Sequence, residues 1–279
     1  MIATPNNVSF LGDDLDHPEC VCVGPDGTVY AGGEEGQLYR IIPGGAPEQS
    51  GRIEGEILGL ALDGQGRLHV CNVGRSRVVR VDPDGSSVVR STGTAARPME
   101  KPNYAVFDAR GNLYVSDTGD YWSETGTGVI YVIRPDDTTE VFHHGPFRAA
   151  NGLAIHPSGE WLYIAQSSAW NVVRVPLSEP DGAIAVTNAL PAHTVPDGLA
   201  FTAQGRLVIA CYRPDIVCLG YPDGRLQVLV EDLTGELLLR PTNVALHDGK
   251  MYLANLGGRC ISVLDTDLEP GPLHRPRLP

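Results

Sequence analysis

The chain has 279 residues, 42% of them hydrophobic, with a formal net charge of −13 at pH 7. That length can bury a sizeable core, as one large domain or two ordinary ones. The acidic balance argues against nucleic acid and anionic membranes as partners, and no run of about 18 apolar residues is present to span a bilayer.

In chain order, Met1–Phe10 carries neither a basic head nor an apolar stretch, so no secretory leader is expected. Short apolar runs between turn signals then follow, which is the pattern of strands rather than helices. Six of these runs are copies of one another: Pro18-Glu19-Cys-Val-Cys-Val, Ile57-Leu58-Gly-Leu-Ala-Leu, Pro102-Asn103-Tyr-Ala-Val-Phe, Ala150-Asn151-Gly-Leu-Ala-Ile, Pro196-Asp197-Gly-Leu-Ala-Phe and Thr242-Asn243-Val-Ala-Leu. The second position of each forms a column of Glu19, Leu58, Asn103, Asn151, Asp197 and Asn243. Five of these are oxygen-bearing, which a packed strand does not require.

The glycine of the turn after each run marks the period: Gly27, Gly66, Gly111, Gly159, Gly205 and Gly249, at steps of 39, 45, 48, 46 and 44 residues. A propeller blade of four strands has this spacing, about 40 to 50 residues. In the second repeat the strands trace as Leu58–Leu62, Arg67–Cys71, Arg77–Val81 and Ser87–Ser91. The last repeat supplies only three, near Asn243–Leu246, Met251–Ala254 and Cys260–Leu264, before a Pro-rich tail that cannot continue a ladder. Its fourth strand is expected from Asn7–Phe10, fastening the first residues to the last and protecting both edges. The expectation is an all-β chain, a single six-bladed β-propeller over residues 1–279. Its blades fall near 17–54, 55–97, 98–144, 145–190, 191–235, and 236–268 with 7–10. Stacked sandwiches would not give so even a spacing.

The six cysteines contain no CxxC pair, so buried thiols in a reducing cytoplasm are expected rather than a disulfide scaffold or zinc site. In a propeller the inner strands line a central channel, and their heads meet on one face. Two carboxylates and three carboxamides in a ring are acceptor-rich, and the two negative charges would repel in a partly dry channel. A divalent cation removes that conflict, and all-oxygen ligation suits a hard ion such as Ca²⁺, with Mg²⁺ or Mn²⁺ as alternatives. A water-filled polar channel mouth is the other reading of the same residues.

The wording of the repeats goes further. Lys101-Pro-Asn103 before Phe107-Asp-Ala-Arg-Gly-Asn-Leu-Tyr, Ala150-Asn151-Gly-Leu-Ala-Ile-His-Pro-Ser-Gly-Glu-Trp-Leu-Tyr, Val195-Pro-Asp197-Gly-Leu-Ala-Phe and Arg240-Pro-Thr-Asn243-Val-Ala resemble the SMP-30/gluconolactonase family, regucalcin-like sugar lactonases. Pro18-Glu19 fits that family's opening Glu, and the resemblance runs from about Asp16 to Asp265. It implies a divalent-metal hydrolase that opens sugar lactones to aldonic acids. Carried over by position, Glu19, Asn151 and Asp197 would bind the metal, and Asp197 would also be the base that activates water. Asn103 would sit beside the metal, holding substrate or water. The family uses Ca²⁺, Zn²⁺, Mg²⁺, Mn²⁺ and Fe²⁺, so the ion is not named by the resemblance. No Gly-x-Ser-x-Gly elbow offers a competing nucleophile.

Further substrate contacts are expected from Lys101, where the family often carries a basic residue, and from the loop Asp117–Gly128. Its Tyr121 and Trp122 suit a lid that stacks on a sugar ring. The ends of the second strands, Asn72, Asp117, Gln166, Tyr212 and Asn255, are candidates for the pocket rim, most of them as turn caps. His17, His193 and the pair His143-His144 are assigned no role, and Leu58 is a dry wall. The partner expected is a small-molecule sugar lactone, acting on a cytoplasmic monomer or weak homodimer. Tyr104, where the family has a small polar residue, departs from the pattern, as does the Tyr-Trp loop. Alternative readings are hydrolysis of a phosphotriester or an aryl or acyl lactone, a strictosidine-synthase-like or recruited biosynthetic enzyme, and a noncatalytic metal-binding scaffold.

Overall fold

The computed structural model describes all 279 residues as six four-stranded antiparallel sheets, with no α-helix. Blade one comprises Cys20–Val23, Val29–Gly32, Gln37–Ile41 and Glu48–Arg52. The next four follow the same plan, with inner strands Ile57–Leu62, Pro102–Phe107, Ala150–Ile155 and Val195–Phe201. Blade six has Pro241–His247, Lys250–Asn255 and Ile261–Asp265, completed by the N-terminal Ser9–Leu11 on its outer edge. Each inner strand packs on the inner strand of the next blade, and the last packs on the first. The ring is therefore a closed six-bladed β-propeller. The closing strand lies slightly beyond the expected Asn7–Phe10 and pairs Ser9 with Val263. Ahead of it, Ala3 donates its backbone N–H to Glu231 of blade five, so the N-terminus ties two blades together.

Local chemistry sets the pleats. In the turns after the inner strands, an acidic side chain accepts the N–H groups that the turn leaves free. Asp63 takes those of Gln65 and Arg67, and Asp108 those of Arg110 and Asn112. The turn glycines have positive φ, +76° at Gly66 and +85° at Gly111, a region costly for residues with a Cβ.

The core is not one mass but six layers, each between adjacent blades. Ile130 and Val132 of blade three, for example, pack with Leu153 and Ile164 of blade four. All six cysteines are free thiols, five of them buried among these layers or against the channel.

The Pro-rich tail has a definite path across the face opposite the strand heads. Gly271 donates to the carbonyl of Phe201 in blade five, and Arg275 donates to that of Val23 in blade one at 2.7 Å. Gly64 of blade two then donates to Pro276, and Leu278 donates to Gln65 at 2.8 Å. The tail thus roofs the lower end of the channel, where Pro270–Arg275 and the ends of the inner strands enclose an apolar cavity of about 100 Å³. Leu278 itself is buried in the layer between blades two and three.

Leu278→Ala should lower the stability of the whole ring by about 2 kcal/mol, the low end for a buried leucine because a tail can settle. The readout is the urea midpoint; an unchanged midpoint would mean that the tail lies on the ring without fastening it.

Candidate functional site at the upper mouth of the channel

Three devices bring the head residues to one place. The first is a bulge. In blades two to six the pairing between inner and second strand shifts register at the head: between Ile57 and Gly59, Pro102 and Tyr104, Ala150 and Leu153, Pro196 and Leu199, and Pro241 and Asn243. The unpaired residue is bent out of the ladder and its side chain re-aimed. Leu58, Asn103, Asn151 and Asp197 all sit on such bulges.

The second device is glycine. A Cβ on Gly152 would run into the Asp197 carbonyl oxygen, one on Gly59 into that of Asn103, and one on Gly198 would lie 2.6 Å from the Asn243 Cα. The Asn-Gly and Asp-Gly pairs therefore allow neighbouring heads to approach more closely than any other residue would permit.

The third is a hydroxyl placed between blades. Asn103 donates its amide to Thr118 Oγ1 at 3.1 Å, and Thr118 donates on to the Ala150 carbonyl at 2.9 Å. Asn151 repeats this with Ser167 at 3.1 Å, and Ser167 donates to the Pro196 carbonyl at 2.8 Å. With their amide nitrogens so committed, both asparagines have their oxygens left for the channel. Thr118 and Ser167 did not figure among the expected residues. Their signal is that a hydroxyl residue directly follows the second strand in blades three and four and in no other blade.

Electrostatics at the mouth are unfavourable for charge. Burial pushes the Glu19 carboxyl up to about 8, helped by the charges of Glu56 and Glu34. Burial also pushes Asp197 well above the usual carboxylate range, and the Glu19 charge adds to it, with the Asn151 amide partly offsetting both. Asn151 is 6% exposed, and its Oδ1 has no hydrogen-bond partner. Asp197 thus has both Glu19 and Asn151 near it: two carboxylates that resist ionisation and an amide whose oxygen is orphaned.

The column is one residue out of register in blade six. There the bulged residue is Thr242, whose hydroxyl donates to the Glu19 carbonyl at 3.1 Å, and Asn243 pairs opposite Ala254. Asn243 shares the row of Tyr104, which pairs opposite Ser116. The Tyr104 hydroxyl donates across the channel to Asn243 Oδ1 at 3.3 Å. The pair forms a bar below the heads.

The expected rim residues divide. Asn72 donates to the carbonyls of Gly55 and Glu56, Asp117 accepts the N–H groups of Glu100, Lys101 and Gly119, and Gln166 accepts that of Arg148. Asn255 donates to Ser262. These four brace the segments that enter or leave the blades. Only Tyr212 reaches the rim, its hydroxyl bonded to that of Tyr121 at 2.6 Å. Through this bond, and through Ser168 donating to the Tyr121 carbonyl at 2.6 Å, the loop from blade three is latched over blades four and five. Trp122 stands 85% exposed, edge-on to Tyr121. The Lys101 side chain is exposed, while its backbone N–H is held by Asp117.

Of the histidines, His143 and His144 contact Gly182 and Asp181 in an outer region. His17 pairs with Asp16 at 3.2 Å and Glu34 at 3.4 Å on the exposed edge of blade one. His193 lies against Trp170, ring centroids 4.6 Å apart, beside the latched loop.

Comparison with known proteins bears on this geometry. Residues 88–252 match the SMP-30/Gluconolactonase/LRE-like region, and residues 7–41 match the N-terminal region of strictosidine synthase-like proteins. Lactonase drp35 of Staphylococcus saprophyticus is 29% identical over 202 residues, 66% of this chain and 60% of that protein. Its counterpart in Staphylococcus haemolyticus is 26% identical over 175 residues, 60% of this chain and 52% of that one. The chain thus spans little more than half the length of these curated relatives. Among solved structures, a gluconolactonase of Xanthomonas campestris superposes with a TM-score of 0.79 at 19% identity, covering 92% of this chain and 89% of that one. Regucalcin of Agrobacterium tumefaciens, a calcium-binding protein, superposes at 0.76 and 18% identity, covering 97% and 98%. A streptogramin B lyase superposes at 0.68 and 13%, covering 93% and 98%, so the propeller is shared across chemistries and these likenesses carry the fold alone. The family match covers more than half of the chain, including the heads of blades three to six, and the chain belongs to the SMP-30/gluconolactonase/LRE-like family.

Proposed function

We propose that the upper mouth of the channel holds a divalent cation and hydrolyses the ester ring of a lactone, of the sugar (aldono-) class. One observation carries this reading: Asn151, with its Oδ1 unpartnered, adjoins Asp197, whose carboxyl, like that of Glu19 acting on it, burial makes hard to ionise. A cation satisfies all three at once, giving the amide oxygen a partner and the two charges a counter-ion. The donors are all oxygen, which suits a hard ion; Ca²⁺, Mg²⁺ and Mn²⁺ fit that chemistry, and Zn²⁺ and Fe²⁺ are also used in the family. The family membership and the lactonase relatives support the same reaction class.

When bound, such an ion polarises the lactone carbonyl and lowers the pKa of water. The rest falls to the chain. Asp197 takes the proton from the attacking water at its carboxylate oxygen. The water oxygen bonds to the carbonyl carbon, the ring C–O bond breaks, and the proton passes to the ring oxygen as it leaves as an alcohol. Asn103, its nitrogen spent on Thr118, offers an acceptor oxygen to a substrate hydroxyl or to that water. Tyr121 and Trp122 form the wall a ring would stack on, and Lys101 stands free at the edge for a substrate hydroxyl or carboxylate. A strictosidine-synthase-like condensation rests on residues 7–41, which contain Glu19 but none of the other heads.

Two outcomes are expected. The Glu19 carboxyl rises from 4.5 towards about 8 on folding, so the folded chain holds that proton the more tightly. Its contribution to stability is complete below the lower value and is lost as pH rises through the higher one. With chelator present, Glu19→Gln should therefore melt increasingly above wild type between about pH 5 and 8.5, and added cation should restore wild type alone. Calorimetric melting curves read this, and a gap independent of pH would contradict it. Separately, Asp197→Asn should cut kcat/KM on aldono-lactones by about 100-fold or more with the circular dichroism spectrum unchanged. Chelation should do the same reversibly. A panel of lactones and divalent ions that shows no turnover above the spontaneous rate would sink the hydrolase reading.

A further inference from the structure

The latched loop encloses a second space beside the mouth, of about 280 Å³, that the hydrolytic residues do not use. Two of the chain's three tryptophans, Trp122 and Trp170, line it with Tyr121 and Tyr212. So do Arg148 and Arg213. Nine of the nineteen arginines of this acidic chain pair with a carboxylate. Arg40 with Glu48, Arg90 with Asp137 and Arg134 with Glu140 are typical. Neither Arg148 nor Arg213 has a carboxylate within ion-pair distance, and Arg148 Nε is buried with no partner at all.

The cavity adjoins the hydrolytic residues directly. Ser167, on its wall, is the hydroxyl that holds Asn151, and Val195 stands two residues before Asp197. The charge around the mouth is divided accordingly. Glu19, Glu34 and Glu56 lie on the side of blades one and two, whereas the two unpaired guanidiniums lie on the side of blades four and five. A substrate whose ester sits at Glu19, Asn151 and Asp197 would reach these guanidiniums with a negative group.

We propose that this cavity is a carboxylate subsite, so that the natural substrate is a lactone whose ring carries a free carboxylate, stacked on the aromatic wall and gripped by Arg148 and Arg213. The inference rests on the hydrolase reading for the word lactone, but the subsite stands on its own residues. Guanidinium forks meet a planar carboxylate with paired, charge-assisted hydrogen bonds, and aromatic faces take the ring at little entropic cost. Without an anion, Arg148 Nε is left as a buried donor lacking an acceptor, which costs stability that the ligand would recover.

The test uses a five-membered lactone with a pendant carboxylate, its primary amide and its phosphate analogue. Binding is read by quenching of tryptophan fluorescence and by calorimetry, and hydrolysis by kcat/KM, in wild type, Arg148→Gln, Arg213→Gln and the double variant. The acid should bind wild type about 10- to 100-fold more tightly than the amide, and each substitution should close much of that gap through KM rather than kcat. Arg148→Lys should recover part of it. Equal binding of acid and amide by wild type, or a gap that survives in the double variant, overturns the subsite, and preference for the phosphate overturns its assignment to carboxylate. The two readings separate cleanly. Turnover of the amide as fast as the acid leaves a lactonase without this subsite, whereas arginine-dependent binding of the acid with no turnover leaves the subsite without a lactonase.

Discussion

Everything at the mouth depends on how closely the inner strands can approach one another. A six-membered ring of twisted sheets closes only if the heads of adjacent blades come nearly into backbone contact. At three of these junctions a Cβ would prevent it, and Gly59, Gly152 and Gly198 are the answer. The same closeness forces the unpaired bulge residues inward, because the ladder has no room for them. Packing demand and chemical site are therefore one arrangement. The glycine that follows Asn151 is there for Asp197, a residue 45 positions further on.

That closeness also creates an electrostatic conflict. Burial makes both Glu19 and Asp197 hard to ionise, and the Glu19 charge adds to the difficulty at Asp197. A buried carboxylate elsewhere can be kept comfortable: Asp63 is held well below the usual range by His69, Arg67 and turn N–H groups, even though burial opposes this. The contrast is informative. Asp63 shows that the chain can satisfy a buried carboxylate, and at the channel mouth it does not.

Much of this was legible in the residues. The glycine spacing predicted six blades, and the second-repeat strands match the observed Ile57–Leu62, Leu68–Asn72, Arg77–Val81 and Ser87–Ser91 to within a residue or two. Period and alternation suffice there because each strand is short and bounded by turn residues that admit no other register. Asn243 shows where such reading ends. In a row of similar apolar runs aligned by residue type, an asparagine was taken for the head, whereas Thr242 holds the bulge position that Leu58 and Asn103 hold in their blades. The cavity with Arg148 and Arg213 was invisible for a different reason. Its walls come from blades three, four and five, and the bonds of Tyr121 to Tyr212 and Ser168 bring the loop onto the other two. The tail was read as a place where strands stop, since proline cannot continue a ladder; its path across the lower face depends on contacts with partners more than 200 residues away in sequence.

That path has a consequence for traffic. A propeller channel open at both ends would let a molecule enter from one face and leave by the other. Here the bar of Tyr104 and Asn243 and, beneath it, the seated tail make the channel a blind well. Whatever is bound at the mouth must leave by the way it came, past the aromatic loop. The loop therefore governs departure as much as arrival, and under the proposed hydrolysis an acid formed in the well would have to break from the same counter-charges that drew its precursor in.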